Sequence, residues 1–352
     1  MNELMDKLCK TGSIKQSSIL SESKFFNEKD MVQTDIPSLN IALSGSVDGG
    51  LTPGITFIAG PSKTYKTLMS LRLVTAYLNK YKDAVCIFYD SEFGTSNEYL
   101  QLQGVDTSRV VHIPVTDVEQ FKFDIVAKLK EINDKDHVIF FVDSIGNMAS
   151  KKEIEDAIEE KSVADMSRAK AVKSVFRMIT PHLTLKNIPM ICINHVYMEI
   201  GMYPKAIMGG GTGPLYSANT VWLITKAQEK SGTELEGFTF TINIEKSRFV
   251  EEKAKIPLRV TFDNGIDYYS GLLDIALESG HIVKPSNGWY QLKGSVDKVR
   301  EKNTGALLDV CLQDPEFKMF IENKYRLVKK YNKSGALSSN SSTDVFEVIA
   351  DE

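Results

Sequence analysis

Residues 55–67 of this chain read ITFIAGPSKTYKT, a short apolar run followed by a loop that ends in lysine and threonine. The run at 55–59 has the length and composition of a buried strand, and a helical pattern follows at residues 66–80. A strand, such a loop and a helix together favour a phosphate-binding loop, in which backbone N–H groups and the positive end of the helix bind a phosphate chain. An ordinary strand–turn–helix with a basic turn is the alternative that this loop alone leaves open.

Eight loop residues are therefore candidates for binding the phosphates of a nucleotide. They are Gly60, Pro61, Ser62, Lys63, Thr64, Tyr65, Lys66 and Thr67. We expect Lys66 to reach the β- and γ-phosphates and the Thr67 hydroxyl to bind Mg²⁺. Tyr65 occupies a position that is usually glycine, a residue that permits an unusual backbone conformation and a close approach to phosphate. The tyrosine leaves the path of the loop and its nucleotide affinity open.

Two further apolar runs end in groups that suit the same site. The run at 138–142 is followed by Asp143 and Ser144, and the run at 85–89 leads to Glu92. We expect Asp143 to hold Mg²⁺ through water and Glu92 to orient the attacking water. Taken singly, an aspartate after a strand is most often a loop or helix cap, and a lone glutamate is often only solvated. Three strand ends with compatible groups predict an ATPase.

Apolar runs alternate with helical patterns along most of the chain. The runs lie at 55–59, 85–89, 138–142, 190–193, 221–224 and 238–244, and helical patterns at 66–80, 118–133 and 165–185. This rhythm predicts an α/β fold with a mostly parallel sheet covered on both faces, to which the later runs add antiparallel strands. After residue 265 the pattern changes to that of a small α/β appendage.

The bulk composition restricts the class of protein. The chain has 352 residues, of which 42% are hydrophobic and 25% charged, as in a soluble globular protein. Its four cysteines are far apart and form no CxxC pair, which excludes the usual zinc spacing and indicates a reducing compartment. No signal peptide and no apolar run of about 20 residues is evident, so we expect a cytoplasmic protein. The net charge of -4 requires any DNA site to be local.

Nine ordered stretches carry a family resemblance: SKFFNEKD, NIALSG, AGPSKTYKT, FYDSEFG, SIGNMASKKE, ICINHVY, MGGGTGP, YSGLLD and VKPSNGWY. From about residue 24 to 314 the chain resembles the RecA-type recombinases, and most closely their UvsX branch in T-even-like bacteriophages. The resemblance implies a RecA-like P-loop NTPase core with a mostly parallel central sheet, an N-terminal oligomerisation segment and a small C-terminal α/β domain. The phage branch also tends to carry an aromatic residue where Tyr65 lies.

The resemblance also implies a division of the chain. We expect a polymerisation helix and linker at 1–33, the ATPase core at 34–268, the small C-terminal domain at 269–332 and a flexible, Ser-rich tail with an acidic end at 333–352. Phe25 and Phe26 would dock on the next subunit.

Several roles follow from matching positions in the family. Glu92 matches the catalytic carboxylate, and Tyr99 the aromatic residue that stacks on adenine. His195 lies where the family places a γ-phosphate sensor, usually a glutamine. Lys246 and Arg248 match a pair that reaches a neighbour's γ-phosphate across the subunit interface. Without the family context, the tyrosine and histidine would be surface or structural residues, and the two cations would simply be solvated.

Two segments are candidates for DNA binding. The first runs from Met148 to Asp165, is rich in lysine and glutamate, and leads into the helix predicted at 165–185. One face of that helix carries cations, and the opposite face carries Val172, Phe176 and Ile179, which should pack on the sheet. The cations are Lys170, Lys173 and Arg177, and we add Arg168 because the resemblance places the start of this helix on the DNA axis. A basic helix face is often only solvated.

The second DNA-binding candidate is the loop at 196–214. Its candidate residues are Gly209, Gly210, Gly211, Thr212 and Gly213. A loop this long and rich in glycine is unusual as a simple connection, and its backbone N–H groups can approach phosphates without reading sequence. Helical stacking of subunits would align such loops along one axis and concentrate positive groups there. A disordered linker is the alternative reading.

The resemblance implies a DNA-dependent ATPase of recombination, repair and replication. With ATP and Mg²⁺ it would form a helical filament of identical subunits on single-stranded DNA, pair it with homologous duplex DNA and exchange strands. A phage single-strand-binding protein and a recombination mediator are the implied partners, and the host bacterial cytoplasm is the implied location of a phage-encoded protein, with no membrane involved. A ring helicase of the same fold and a mediator paralogue that does not hydrolyse ATP are the alternatives.

Overall fold

A computed structural model of the chain describes residues 3–14, 17–22, 31–160, 167–199, 206–231 and 233–327. Phe25, Phe26 and the tail predicted at 333–352 lie outside the described residues. The chain divides into two compact units, which are interleaved along the sequence. The first comprises Met1–Val32, Leu51–Ile58 and Tyr65–Ala218, and the second comprises Gln33–Gly50, Ala59–Thr64 and Asn219–Glu352. The division predicted at residue 268 stays a prediction.

The described residues form helices in both units. They are α1 Glu3–Lys10, α2 Pro37–Ser44, α3 Lys66–Lys80, α4 Asn97–Leu102, α5 Val118–Glu131, α6 Lys151–Ile158, α7 Ser167–Leu185, α8 Thr212–Ser217, α9 Leu272–Glu278, α10 Gly305–Gln313 and α11 Pro315–Tyr325. The strands are β1 Gly54–Ala59, β2 Val85–Asp90, β3 Val110–Pro114, β4 Val138–Asp143, β5 Pro189–Asn194, β6 Val196–Met198, β7 Ala206–Met208, β8 Thr220–Ser231, β9 Glu234–Ser247, β10 Lys255–Thr261, β11 Gly265–Ile266, β12 Ile282–Ser286, β13 Trp289–Leu292 and β14 Val299–Arg300.

The sheet of the first unit has the strand order β1-β5-β4-β2-β3. β2 pairs in parallel with both β3 and β4, and β4 pairs in parallel with β5. This confirms the predicted mostly parallel sheet. Because the carboxyl ends of parallel strands meet at one edge, the residues that follow β2, β4 and β5 are brought together there.

Burial explains which strands the sequence revealed. β1, β4 and β5 are buried at every residue, so they appear as continuous apolar runs. The edge strand β3, with the sequence VVHIP, is half-exposed along its length and was not predicted. His112 interrupts its short apolar run, and Val111 and His112 are exposed, so the strand lacks the continuous buried signal of its neighbours.

Helix α7 has the two faces that the sequence predicted. Its buried residues are Val172, Val175, Phe176, Ile179 and Leu183. The predicted cationic face, with Lys170, Lys173 and Arg177, is exposed. The Phe176 ring meets Phe57 of β1 edge-on, with ring centroids 5.1 Å apart. This packing fixes the helix against the sheet and directs its cations to solvent.

The second unit contains an antiparallel sheet in the order β11-β10-β9-β8. β8 and β9 extend well beyond the runs predicted at 221–224 and 238–244. The added residues at 225–230 and 234–236 are largely exposed and include charged side chains, so they gave no apolar signal in the sequence. The buried Trp222 donates from Nε1 to the Ala42 carbonyl oxygen, over 3.2 Å, and so ties β8 to α2. Near the C-terminus, β12, β13 and β14 form a small sheet of their own.

None of the helices in the described ranges is both long enough and apolar enough to cross a membrane.

Candidate active site

The last two residues of the phosphate-loop candidate, Lys66 and Thr67, are the first two residues of α3. Lys66 begins that helix and is only 7% exposed. Tyr65, just before it, has φ 53° and ψ 31°, and Lys63 has φ 59°, so both are in the left-handed region. This conformation costs a residue other than glycine about 1–2 kcal/mol. The tyrosine thus adopts the backbone conformation that glycine would favour, and the turn before the helix is kept.

Thr67 and Asp143 are in direct contact. The Thr67 hydroxyl donates to Asp143 Oδ2 over 2.8 Å. The other oxygen, Oδ1, is buried and has no hydrogen-bond partner among the described residues. Burial raises the pKa of Asp143 to about 7, and the charges of Glu92 and Asp90 add to this rise, whereas the Thr67 hydrogen bond and Lys66 oppose it. A carboxylate with one idle, buried oxygen beside a threonine hydroxyl fits a site for Mg²⁺ and its water.

Lys66 lies in the field of two carboxylates. Burial lowers the pKa of its ammonium group, and the charges of Glu92 and Asp143 raise it. The sequence placed these three residues at the ends of separate elements, and the structure brings their charges into mutual range.

Glu92 is held from two directions. Ser144 Oγ donates to Glu92 Oε1 over 2.9 Å, and His195 Nε2 lies 3.1 Å from the same oxygen. These contacts, the one with His195 foremost, lower the pKa of Glu92, although burial opposes them. Glu92 is thereby kept as a carboxylate that accepts hydrogen bonds, the form that a general base requires.

Asp90 and His112 support Glu92, and sequence reasoning gave neither a role. Asp90 Oδ1 accepts from the backbone N–H groups of Glu92 (3.1 Å) and Phe93 (2.8 Å). His112 Nε2 on β3 lies 3.1 Å from Asp90 Oδ2. An aspartate at a strand end was visible in the sequence, but β3 was not predicted, so no signal pointed to His112.

His195 connects this cluster to the glycine-rich segment. Its carbonyl oxygen accepts from the Gly209 N–H over 3.0 Å, and Asn194 Nδ2 donates to the Gly209 carbonyl over 2.8 Å. Strand β6 follows His195 and pairs in antiparallel fashion with β7, which leads into Gly209. Residues 200–205 of the loop predicted at 196–214 lie outside the described ranges.

The two DNA-binding candidates also meet. A Cβ atom added to Gly213 would lie 2.7 Å from Lys173 Cβ, and one added to Gly210 would lie 3.4 Å from Val172 Cγ1. Thr212 begins α8, and Gly211 precedes it with φ 73°. The glycine segment therefore packs closely on α7, next to its exposed cationic face.

Arg168 is engaged within the chain. Its Nε donates to the Met148 carbonyl over 2.8 Å, and its Nη2 donates to the carbonyls of Ile145 (2.9 Å) and Gly146 (3.0 Å). The guanidinium group thus holds the segment that follows β4. Its predicted contact with DNA stays a prediction, with these donors already in use.

Tyr99 lies on α4, whose N-terminus is capped by the Ser96 side chain. Burial raises the pKa of Tyr99, and the nearby Tyr65 and Asp143 contribute to the rise. The two tyrosines are thus close enough to interact electrostatically. Stacking of Tyr99 on adenine stays a prediction.

The pair assigned to a neighbour's phosphate lies in the second unit. Lys246 is on β9, and Arg248 follows the end of that strand and is exposed. Burial lowers the pKa of Lys246, and the positive charge of Arg248 lowers it further. In the same unit, Lys226 Nζ donates to the Lys63 carbonyl over 3.2 Å, a contact that the sequence did not predict.

Comparisons with known proteins agree along the whole chain. Residues 5–267 match the family model of the RecA N-terminal domain, and residues 269–308 match that of the Bacteriophage T4 "Recombination and repair protein, C-terminal domain". The chain is 47% identical over 357 residues to the "Recombination and repair protein" of Enterobacteria phage T4, covering 100% of this chain and 90% of that protein. It is 26% identical over 300 residues to "Protein RecA" of Syntrophus aciditrophicus (strain SB), covering 84% of this chain and 83% of that protein. The crystal structure of the RadB recombinase has a TM-score of 0.48 and 22% sequence identity, covering 67% of this chain and 98% of that chain.

Proposed function

The chain belongs to the RecA family of recombinases, a family of DNA-dependent ATPases, and we propose that it forms ATP-dependent helical filaments on single-stranded DNA and exchanges strands with homologous duplex DNA. The observation that carries this proposal is the cluster of Lys66, Thr67, Asp143, Glu92 and His195 at the carboxyl edge of a parallel sheet. A P-loop lysine, a carboxylate for a metal, a carboxylate for water and a γ-phosphate sensor are the parts that ATP hydrolysis needs.

Nucleotide binding uses the loop from Gly60 to Thr67. Its backbone N–H groups and the start of α3 bind the phosphates, and the Lys66 ammonium group neutralises charge on the β- and γ-phosphates. Mg²⁺ would be held by Thr67 and, through water, by Asp143, and when bound it supplies positive charge to the phosphate oxygens. The idle Oδ1 of Asp143 supports this assignment. Tyr99 covers the adenine.

Hydrolysis uses Glu92 as the group that orients and deprotonates water. Its lowered pKa keeps it ionised, and Asp90 fixes the backbone that carries it. The proton of the attacking water passes to the Glu92 carboxylate. Ser144 holds the carboxylate in place until the water and the γ-phosphate are aligned.

Nucleotide state and DNA binding are coupled through His195. The γ-phosphate competes with Glu92 for the His195 Nε2 hydrogen bond, and any movement of the histidine is transmitted to Gly209 through the backbone contacts described above. The segment around Gly209 lies against α7 and its cations. Such a connection works in both directions, so DNA binding also favours the nucleotide-bound arrangement.

Filament assembly completes the site. Lys246 and Arg248 of one subunit stabilise the γ-phosphate charge bound by the next, so hydrolysis is fast only between assembled subunits. Lys170, Lys173 and Arg177 contact the phosphates of single-stranded DNA, and the glycine segment contributes backbone N–H groups. Base pairing between the bound strand and the duplex then tests homology. A single-strand-binding protein and a loading mediator are the expected partners.

The test measures ATP hydrolysis with and without single-stranded DNA, and strand exchange with homologous and heterologous duplexes. We expect hydrolysis to rise with DNA and exchange to require homology. Lys66→Ala should abolish hydrolysis while leaving thermal unfolding cooperative. Absence of DNA stimulation would contradict the proposal. A closed ring in electron micrographs would favour a helicase instead, and DNA binding without turnover would favour a mediator.

A further inference from the structure

Gly146 faces the ring of His195 at a distance that leaves no room for a side chain. A Cβ atom added at Gly146 would lie 2.4 Å from His195 Cδ2, 3.2 Å from His195 Cγ and 3.2 Å from Asn194 Oδ1. Non-bonded carbon atoms normally stay about 3.5 Å or more apart. The imidazole ring therefore lies against bare backbone.

Hydrogen bonds restrain both the Gly146 backbone and the His195 ring, which form this contact. The Gly146 backbone is held by Arg168, whose Nη2 donates to the carbonyls of Ile145 and Gly146 and whose Nε donates to that of Met148. The ring is held by the 3.1 Å contact between His195 Nε2 and Glu92 Oε1. The His195 backbone is held by the hydrogen bond from Gly209.

We propose that Gly146, fixed by Arg168, is a positioning residue that allows a histidine to serve as the γ-phosphate sensor. A methyl group at position 146 would require the ring to move by about 1 Å. Movement of the ring by that distance away from Glu92 would lengthen the 3.1 Å Nε2–Oε1 contact beyond hydrogen-bonding range, and Glu92 would lose a partner. The inference rests on the proposed function, because it assumes that His195 couples the nucleotide to DNA binding.

The role of Gly146 is specific to an imidazole at position 195. The ring is flat and rigid, so its Cδ2 atom follows wherever Nε2 is placed. A glutamine side chain ends in an amide that can rotate away from a methyl group and still donate a hydrogen bond to Glu92. Gly146→Ala should therefore be harmful beside a histidine and tolerated beside a glutamine.

The experiment measures coupling as a ratio of affinities. The dissociation constant of the full chain for a fluorescent single-stranded oligonucleotide is determined by anisotropy, with Mg²⁺, in the presence and absence of a non-hydrolysable ATP analogue. The coupling ratio is the dissociation constant without the analogue divided by the dissociation constant with it. Gly146→Ala and His195→Ala should each reduce this ratio at least about tenfold, the effect of losing one hydrogen bond to a charged group. The double variant should be no worse than His195→Ala alone, because both changes remove one interaction. Gly94→Ala is the matched control, since a methyl group there meets nothing within 4 Å.

The outcomes separate this inference from the proposed function. A wild-type ratio in Gly146→Ala, with a reduced ratio in His195→Ala, overturns the inference alone. Additive losses in the double variant also overturn it. A wild-type ratio in His195→Ala removes the sensor role and the inference with it. If Gly146→Ala does not fold, the Gly146→Ala/His195→Gln double variant is compared with His195→Gln alone. Cooperative unfolding of the double variant supports the inference. A double variant that does not fold, while His195→Gln alone does, overturns the inference.

Discussion

Asp143 carries an electrostatic cost that a single substitution should remove. Burial raises its pKa to about 7 in the folded chain, from an ordinary value of 3.8 that we take for the unfolded chain. A carboxyl group with a raised pKa contributes its full stability only below 3.8, where both states are protonated. That stability is lost as the pH rises through about 7, because the unfolded chain releases its proton more readily.

Asp143→Asn cannot titrate, so its stability should lack this slope. Linkage between the two pKa values gives the wild-type chain a loss of about 2 kcal/mol relative to the variant between about pH 5.5 and pH 8.5. The measurement is urea-induced unfolding of both proteins at these two pH values, without nucleotide or Mg²⁺. Asp134→Asn, the same change at an exposed carboxylate, is the control and should keep the wild-type slope. The variant should also lose Mg²⁺-dependent hydrolysis.

Parallel pH dependence in the wild-type and Asp143→Asn proteins would refute this reasoning, because it would mean that Asp143 titrates alike in both states. If the pH dependence of the free energy of unfolding disappears when Mg²⁺ and nucleotide are added to the wild-type protein, the result would also support Mg²⁺ binding at Asp143. A bound cation favours the ionised carboxylate and so removes the cost.

Two other substitutions test the remaining parts of the site. Asp90→Asn weakens the acceptor of the Glu92 and Phe93 N–H groups. Steady-state kinetics should therefore show kcat lowered about tenfold with little change in the KM for ATP. An unchanged kcat would show that Asp90 has no role in the site. Lys246→Ala should lower DNA-stimulated hydrolysis by about 10²–10³-fold while nucleotide binding by the free subunit persists, and normal hydrolysis in filaments would show that the assignment across subunits is wrong.

The central sheet was predictable because its strands are buried on both faces. Continuous apolar runs marked β1, β2, β4 and β5, and the helix predicted at 66–80 matches α3. The edge strand β3 escaped prediction because His112 interrupts its short apolar run and three of its five residues are exposed. The long outer parts of β8 and β9 escaped for a similar reason, since pairing with each other, more than burial, keeps them extended.

The residues of the candidate site likewise differ in whether local sequence could reveal them. The proximity of Lys66, Asp143 and Glu92 was predictable because each comes after an apolar run, a rule that needs only local sequence. Their roles stay predictions. The residues that hold them in place, Asp90 and His112, depend on which strands pair and in which register. Asp90 lies opposite Asp143 in the β2–β4 pairing, and His112 comes from the unpredicted β3. No pattern along one segment reports on a contact that two other segments create.

The charges of the candidate site indicate which form of the nucleotide it should bind. Asp143 is destabilised as an anion by burial and by the charges of Glu92 and Asp90, and Lys66 is the cation that acts on both Asp143 and Glu92. A triphosphate alone would add negative charge to a region where carboxylates already repel one another. A divalent cation entering with it would reverse the sign of that interaction and use the idle Oδ1 of Asp143. The acidic character of the site therefore favours a metal–nucleotide complex over the free nucleotide, which supports the assignment of Asp143 to Mg²⁺.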